Sequence, residues 1–371
     1  MQKSNNINSD IIDTENLVLD KINNDYYKYI RIGSKISVDL SKKISECYGG
    51  YPSVIVPSGI NAISTCLLTV LDKHKDKNIN IIYSSEMYCE TSSTILWLSN
   101  QYKCTHKIFD IIEHEKILLD YTKKISLKKS DKPDVNILFT ESCSNPNGYM
   151  FNYSIIPELK KFGFEWIIIV DNTWLTHLIQ NPFEQSEHID YVVTSLTKYY
   201  SAGNAIGGAI ISKLNDNYEN IYKCTKIFGL HVSPVNCDII YNNLMSIEFR
   251  IKKSSDNTIY ILDELKKNTN IEIYHPYLNK KLDNLDKLKI FPSVFTIKLK
   301  NVDKNIFSKI ITKSKIDYKT SFGYKNSRID YFPKQYANGD LLFRVSIGYL
   351  DEPINILSEL NKIISDSIGK C

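Results

Sequence analysis

Residues 166–198 read WIIIVDNTWLTHLIQNPFEQSEHIDYVVTSLTK. Two apolar runs lie in this stretch, Trp166–Val170 and Tyr191–Thr194, and each is followed at once by polar residues, Asp171 in one case and Ser195-Leu196-Thr197-Lys198 in the other. Apolar runs without alternation are typical of strands that are covered on both faces of a sheet. An amphipathic stretch joins the two runs, so the segment predicts successive βα units of a mostly parallel sheet.

The same pattern extends outward from this segment to about residues 36 and 235, and it changes in the last third of the chain. The other candidate strands before residue 236 are Ser53–Val56, Asn80–Tyr83, Val135–Thr140 and Gly208–Ser212. After residue 236 the sequence predicts a helix-like stretch from Asp238 to Lys266, strands Val294–Leu299 and Leu341–Ser346, and an amphipathic helix, Ile354–Ser367. We therefore predict an α/β protein with an N-terminal arm (1–35), a large domain (36–235) and a smaller C-terminal α/β domain (236–371).

Composition limits the classes of function. The 371 residues include 46 basic and 42 acidic side chains that are interspersed, and the net charge of +4 is weak evidence for a nucleic-acid partner, so none is expected. The eight cysteines form no CxxC pair and no cluster with zinc-ligand spacing. The N-terminus lacks the apolar core of a signal peptide, and no apolar run reaches the roughly 20 residues that span a bilayer. We expect a reduced, cytoplasmic protein without a membrane partner or a metal.

Three strand ends carry groups that suit chemistry. In open α/β sheets functional groups collect beyond the carboxyl ends of the strands, where this sequence has Glu141, Asp171 and Lys198. A lysine behind a buried strand suits Schiff-base chemistry, and a carboxylate one unit earlier could keep a pyridine nitrogen protonated, as pyridoxal phosphate requires. Three simpler interpretations stay open: Asp171 caps the next helix, Lys198 is a surface lysine, and Glu141 is structural.

A phosphate site is predicted where Ser58-Gly59-Ile60 joins a strand to an apparent helix, Asn61–Leu71. Glycine there allows close backbone approach, and the helix N-terminus offers free amides with a favourable dipole. No GxGxxG follows a strand, which disfavours a dinucleotide-binding site.

The ordered set of motifs resembles the Cys/Met-metabolism family of pyridoxal-phosphate enzymes. The motifs are SGINAIST, Tyr88, ESCSNP, VDNTW, SLTK, GGA and LLFRVSIG, and the resemblance runs over about residues 29–365. This family includes cystathionine synthases and lyases, methionine γ-lyase and O-acylhomoserine sulfhydrylases. The resemblance implies the aspartate-aminotransferase-type fold (fold type I) and pyridoxal 5'-phosphate as cofactor.

The resemblance also implies a role for each matching residue in catalysis and in substrate binding. Lys198 would carry the cofactor and shuttle protons, and Asp171 would pair with the pyridine nitrogen. Tyr88 would stack on the ring and pass a proton to or from the leaving group. Arg344 would hold the carboxylate of an amino-acid substrate as a two-pronged clamp, helped by Ser321.

A second group of residues is implied in cofactor binding. The phosphate donors would be Ser58, the Gly59 and Ile60 amides, and the Ser195 and Thr197 hydroxyls, whereas Asn145 would lie near both the phenolic oxygen of the cofactor and the substrate carboxylate. Tyr29 and Arg31 would reach the phosphate of the neighbouring subunit. A homodimer or homotetramer with shared active sites is therefore expected.

The chain departs from the family pattern around the substrate side chain. The residues after Lys198 are Tyr199–Gly203 instead of Tyr-Leu-x-Gly-His, Cys89-Glu90 stand where Gly-Gly is usual after the ring-stacking tyrosine, and the bulky Tyr324 follows Ser321-Phe322-Gly323. We predict β- or γ-elimination, or γ-replacement, on a sulfur-containing or O-acylated amino acid, with cystathionine γ-synthase or γ-lyase chemistry as the first choice. The alternatives are an aminotransferase of the same fold and a catalytically silent binding protein that has kept the fold.

Overall fold

The larger sheet of this computed structural model contains the predicted βα units. The structure describes residues 29–128, 132–279, 288–331 and 340–368. Within these ranges the strands of the larger sheet are β1 (Ser53–Val56), β2 (Ile79–Ser84), β3 (Thr105–Phe109), β4 (Val135–Glu141), β5 (Glu165–Asp171), β6 (Tyr191–Ser195) and β7 (Gly208–Ser212). Their order is β1-β7-β6-β5-β4-β2-β3. Neighbours from β6 to β3 are parallel, and β7 runs antiparallel to both β6 and β1.

Helices cover both faces of this sheet because its strands are apolar on both sides. The helices are α1 (Lys35–Cys47), α2 (Gly59–Lys73), α3 (Cys89–Gln101), α4 (His114–Ser126), α5 (Ile155–Lys160), α6 (Thr176–Ile179), α7 (Pro182–Gln185), α8 (Asn215–Phe228), α9 (Pro234–Leu244), α10 (Ile247–Leu265), α11 (Lys304–Ile311) and α12 (Pro353–Ile368). In β5, Ile168 and Val170 pack into a core shared with α1, α5 and α9, whereas Ile167 and Ile169 pack into a core shared with α2, α3 and α8.

A second, mainly antiparallel sheet lies in the C-terminal third of the chain. Its strands are β8 (Ile271–Tyr274), β9 (Val294–Leu299), β10 (Asp317–Tyr318), β11 (Arg328–Tyr331) and β12 (Leu341–Ser346), in the order β10-β11-β12-β9-β8. A third apolar core lies against this sheet and contains the C-terminal part of α10 together with α11 and α12. The N-terminal part of α10 contributes Ile247 and Ile251 to the core of the larger sheet, so this helix joins the two units.

Several predicted elements are confirmed to the residue. Ser53–Val56, Gly208–Ser212, Val294–Leu299 and Leu341–Ser346 are strands with the predicted bounds. Strand β3 is not predicted by the apolar pattern, because it is an edge strand whose first four residues are exposed. No helix in the described ranges is long and apolar enough to cross a membrane.

The prediction of one helix-like stretch from Asp238 to Lys266 is wrong. The helix is interrupted between α9 and α10, and the buried guanidinium of Arg250 stabilises this interruption. Its Nη2 donates to the carbonyl of Asn243 at 2.8 Å and its Nε donates to Ser246 Oγ at 3.1 Å. A carbonyl at the end of α9 is thereby satisfied without continuing the helix.

The predicted domain boundary at 235/236 stays a prediction, and so does the arm. Helix α9 packs on α1 beside the larger sheet, although it follows the predicted boundary. Residues 1–28 of the predicted arm lie outside the described residues.

Candidate active site

The polar strand ends meet at one edge of the larger sheet. In the parallel register of β4 and β5, Glu141 lies beside Asp171. Strand β1 runs parallel to β6 because both are antiparallel to β7, and Val56, Gly208 and Ser195 lie side by side across the three strands. The carboxyl ends of β1, β4, β5 and β6 therefore open onto the same side of the sheet.

Two glycines let the start of α2 approach this edge. A Cβ on Gly208 would overlap the carbonyl of Ser58, and a Cβ on Gly59 would lie only 2.7 Å from Ser195 Cβ. Both contacts are shorter than side chains tolerate, so only glycine fits at the two positions. The N-terminus of α2 is held against Ser195, with Ser58 as its N-cap accepting the Asn61 amide.

A cavity of about 250 Å³ lies at this edge, between the larger sheet and the second sheet. Predicted site residues that line it are Ser58, Gly59, Ile60, Tyr88, Asn145, Asp171, Ser195, Thr197, Lys198, Ser321 and Arg344. The remaining lining residues are Ile63, Glu141, Cys143, Thr173, Trp174, Thr320 and Phe322. Residues from four strand ends, from one helix N-terminus and from the C-terminal part of the chain thus line the same cavity.

Tyr29 and Arg31 do not reach this cavity in their own chain. Arg31 lines a separate depression beside β1 and α8, where its Nη1 donates to the Lys226 carbonyl at 3.4 Å. Its guanidinium lies 5.0 Å from the centre of the Tyr29 ring. The role of these two residues at the phosphate of a neighbouring subunit stays a prediction.

Lys198 is held inside the cavity, and its Nζ donates to Ser321 Oγ at 2.8 Å. The Phe322 ring lies 5.4 Å from the same nitrogen. Burial, followed by repulsion from Arg344 and Arg328, lowers the pKa of Lys198 to about 8, although Asp171 opposes the shift. The interpretation of Lys198 as a surface lysine is wrong.

Asp171 is buried at the end of β5, and its Oδ1 accepts the Thr173 amide at 2.9 Å. Burial raises the pKa of Asp171 to about 6, while the hydrogen bonds from Thr173 and the charge of Lys198 act in the opposite direction. The alternative that Asp171 caps the next helix is wrong, because α6 begins later and has Leu175 at its N-cap.

Glu141 positions Tyr88 at the cavity mouth. Glu141 Oε1 accepts the Tyr88 amide at 2.7 Å, whereas Oε2 is buried with no partner among the described residues. Burial and the neighbouring Asp171 raise the pKa of Glu141 well above its ordinary value. Tyr88 is 43% exposed, and desolvation followed by the adjacent Glu90 raises its pKa to about 12.

Arg344 reaches the cavity from β12 of the second sheet. Its Nη1 donates to Asn145 Oδ1 at 3.0 Å and its Nη2 donates to Thr320 Oγ1 at 3.3 Å. Asp330 on β11 pairs with Nη2 at 3.5 Å. Burial lowers the pKa of the guanidinium, and the nearby carboxylates of Asp330 and Glu141 counteract the shift. Asn145, which is predicted to lie near a substrate carboxylate, therefore contacts the predicted clamp directly.

The donor set at the sheet edge fits the phosphate of pyridoxal 5'-phosphate. The first turn of α2 presents backbone amides of Gly59 and Ile60 beside the Ser195 hydroxyl, and a helix N-terminus favours an anion. Thr197 is less available, because its Oγ1 donates to the Gly207 carbonyl at 3.3 Å and accepts the Gly207 amide at 3.2 Å. In the ranges that the structure describes, no group of three His, Cys, Asp or Glu side chains could hold a metal ion.

Sequence reasoning missed several residues of the cavity wall. Thr173 and Trp174 follow Asp171 directly in the VDNTW motif, which was a usable signal: Thr173 Oγ1 accepts the Ser195 amide at 2.9 Å. The Trp174 ring packs edge-on against Phe322, with ring centres 5.8 Å apart. Thr320 carries no signal in the sequence, because only the folded chain brings it to Arg344.

Comparison with known proteins identifies the family. The profile of the Cys/Met metabolism PLP-dependent enzyme family matches residues 3–338. An L-methionine gamma-lyase from Fusobacterium nucleatum is 26% identical over 263 residues, which are 68% of this chain and 60% of that protein. A cystathionine beta-lyase MetC from Staphylococcus haemolyticus is 23% identical over 365 residues, covering 93% of this chain and 86% of that protein.

Solved structures confirm the predicted aspartate-aminotransferase-type (fold type I) architecture. Cystathionine gamma synthase from Xanthomonas oryzae pv. oryzae superposes with a TM-score of 0.80 at 19% identity, covering 98% of this chain and 93% of that chain. A putative O-acetylhomoserine (thiol)-lyase from Campylobacter jejuni, whose structure contains N'-pyridoxyl-lysine-5'-monophosphate, gives a TM-score of 0.76 at 22% identity, covering 97% and 94%. The methionine gamma-lyase alignment spans only about 60% of the length of that relative.

A first prediction concerns the amine of Lys198. In the apo-protein, the rate at which pyridoxal phosphate is captured should rise with pH through about 8, because only the neutral amine attacks an aldehyde and burial lowers this pKa. An ordinary lysine would show the rise near pH ~10.4. The measurement is borohydride trapping at a series of pH values, with mass spectrometry of the peptide that contains Lys198.

Two variants test the sign of this shift. Asp171→Asn removes a charge that raises the pKa of Lys198 and should move the midpoint to lower pH, whereas Arg344→Gln removes a charge that lowers it and should move the midpoint to higher pH. A cofactor adduct on a different lysine, or a midpoint near that of free lysine, would contradict the assignment.

Proposed function

Because this chain belongs to the Cys/Met metabolism PLP-dependent enzyme family, we propose that it cleaves or exchanges a group at the β or γ carbon of a sulfur-containing or O-acylated amino acid. The observation that carries the proposal is that Lys198, Asp171 and Arg344 line one cavity. Lys198 is suited to attach the cofactor, Asp171 to tune its ring, and Arg344 to bind the substrate. Cystathionine γ-synthase or γ-lyase chemistry is the first choice.

The cofactor would be held by residues of the sheet edge. Lys198 would bind its carbonyl carbon, Asp171 would face its ring nitrogen, and the Gly59 and Ile60 amides with the Ser195 hydroxyl would receive its phosphate. When bound, pyridoxal phosphate supplies an electron sink for the α carbon of the substrate. The charge of Lys198 and the hydrogen bonds from Thr173 favour the ionised form of Asp171, which would in turn favour a protonated ring nitrogen.

Proton transfer would be divided between Lys198 and Tyr88. A lysine whose pKa is about 8 is partly neutral near physiological pH, so Lys198 would remove the α-proton once its amine is released. The Ser321 hydroxyl at 2.8 Å would orient that amine. Tyr88, with a pKa of about 12, stays protonated and would donate its phenolic proton to the leaving group.

We further propose that the active unit is a homodimer or homotetramer in the cytoplasm. The phosphate donors of the described cavity are neutral, and Arg31 would supply positive charge from a second subunit as a two-pronged donor. The exposed position of Tyr29 and Arg31 in their own chain supports this role. The free cysteines of the described residues suit a reducing compartment.

The proposed activity predicts the products from a panel of cystathionine, homocysteine, methionine and O-acylhomoserines. Elimination should release ammonia and a 2-oxo acid from a single substrate, and replacement should require an added thiol; both are read by product mass. Lys198→Ala should lower turnover by at least roughly 10²–10⁴-fold, since it removes the acid–base group. Lys325→Ala, at an exposed position, is the matched control. A 2-oxo acid formed only with a second amino acceptor would identify an aminotransferase, and no turnover of any substrate would support the silent binding protein.

Arg344→Lys should keep the charge and lose the planar fork. We expect a loss of about 2–4 kcal/mol in the transition-state stabilisation derived from kcat/KM, because the substrate carboxylate loses one of two charge-assisted hydrogen bonds. The cofactor absorbance should not change, which separates substrate binding from cofactor binding. Unaltered kcat/KM would place the carboxylate clamp on another residue.

Mixing Arg31→Ala with Lys198→Ala tests the shared site. Each parent variant should have low activity. Arg31→Ala should retain the cofactor weakly, and Lys198→Ala lacks the acid–base group. A hybrid dimer has one site with both defects and one with neither, so a one-to-one mixture should recover about a quarter of the wild-type activity per chain. The measurement pairs activity with native mass spectrometry of the exchanged subunits. Demonstrated exchange without recovered activity would disprove the shared site.

A further inference from the structure

A second arginine of the second sheet, Arg328, does not line the cavity but donates to Thr320, which does, and it is absent from the roles assigned above. Arg328 begins β11, and its guanidinium carbon lies 3.2 Å from the centre of the Tyr324 ring. Tyr324 in turn packs on Gly203, where a Cβ would overlap the ring. Gly203 belongs to the loop that follows Lys198, and its amide donates to the Lys198 carbonyl at 3.2 Å. The stack of Arg328, Tyr324 and Gly203 is therefore attached to the cofactor lysine segment.

The charge of Arg328 has no carboxylate partner among the described residues. Asp330, two residues further along the strand, pairs with Arg344 instead, at 3.5 Å. Arg328 Nη1 donates to the Thr320 carbonyl at 3.1 Å, but Nε is buried and has no hydrogen-bond partner in the described part of the chain. A partly buried charge without a counter-ion is costly, and an anionic ligand near the guanidinium would lower that cost.

The position of Arg328 relates it to the reacting groups. Thr320 connects the two arginines, because its carbonyl accepts from Arg328 and its hydroxyl accepts from Arg344. Thr320 and Ser321 line the cavity. The positive charge of Arg328 also contributes to the lowered pKa of Lys198, next after that of Arg344. Arg328 is thus one hydrogen-bonded residue away from the cavity wall.

We propose that Arg328 is a second oxyanion-binding residue, which selects amino acids whose side chain ends in a carboxylate or phosphate. This inference rests on the proposed function, in which Arg344 holds the α-carboxylate. Arg328 would then bind the far end of the same substrate through Nη2, which has no hydrogen-bond partner among the described residues and, unlike Nε, is not buried. The Tyr324 ring would fix the plane of the guanidinium, so that the fork is presented in one orientation.

Binding of unreactive acids to the holoenzyme tests the proposal without turnover. The probes are glutarate, its monomethyl ester and 4-phosphonobutyrate, titrated by calorimetry. Glutarate should bind roughly 10- to 100-fold more tightly than the monoester, since one charge-assisted hydrogen-bonding pair distinguishes them. Comparison of glutarate with 4-phosphonobutyrate shows which oxyanion the site prefers.

Variants of Arg328 and Lys325 test whether Arg328 causes the preference for glutarate. Arg328→Gln should remove the preference for glutarate over its monoester, Arg328→Lys should restore part of it, and Lys325→Gln, which removes an exposed charge from the same segment, should leave it intact. Equal binding of glutarate and its monoester by the wild-type protein would overturn the proposal, whether or not the variants fold, and so would a preference that survives in Arg328→Gln. Because no probe reacts, an inactive enzyme that shows the preference would count against the proposed function and not against this site.

Discussion

The site depends on the close contact of three strand ends, where Val56, Gly208 and Ser195 lie side by side in the larger sheet. There is no room for a side chain between Gly208 and the Ser58 carbonyl, and Gly59 is pressed on Ser195 in the same way. Because of these contacts the first turn of α2 directs its amides at the edge where β4, β5 and β6 end. Every other functional group is positioned relative to that edge, so a bulkier residue at either glycine would displace the phosphate site as a whole.

Burial in the cavity acts in opposite directions on acids and bases, and the balance sets the protonation states. Desolvation lowers the pKa of Lys198 to about 8 and raises that of Asp171 to about 6, because each charged form loses water. The mutual attraction of the two groups opposes both shifts but does not reverse them. Burial thus makes Lys198 easier to deprotonate and the Tyr88 phenol harder to deprotonate, while the charge of Lys198 favours the ionised form of Asp171. The proposed roles of Lys198 as the base and Tyr88 as the acid follow from these pKa shifts.

The second sheet completes the cavity through one strained loop. Ser321 has φ of 87°, an uncommon value for a residue with a side chain. Gly323 has φ of 81°, and a Cβ added there would lie only 2.6 Å from the Tyr199 nitrogen. This conformation brings the Ser321 hydroxyl within hydrogen-bonding distance of Lys198 Nζ. Left-handed backbone at a non-glycine residue costs of order 1–3 kcal/mol, and such strain persists where surrounding contacts over-determine it. Here those contacts are the lysine loop on one side and the Thr320 bridge to Arg344 on the other.

The sequence by itself determined the class of fold, because uninterrupted apolar runs such as Gly208–Ser212 and Leu341–Ser346 define strands locally, and the ordered motifs around Asp171 and Lys198 indicate one family. It did not determine β3, whose exposed residues carry no apolar pattern, or the break between α9 and α10, which depends on the distant side chain of Arg250. Only the tertiary structure decided which residues of the two sheets touch, including the bond from Arg344 to Asn145, 199 positions apart, and the stack of Arg328 on Tyr324. The physical reason is that strand formation follows from local burial patterns, whereas the contacts that define the substrate pocket join segments whose separation along the chain leaves no local signal.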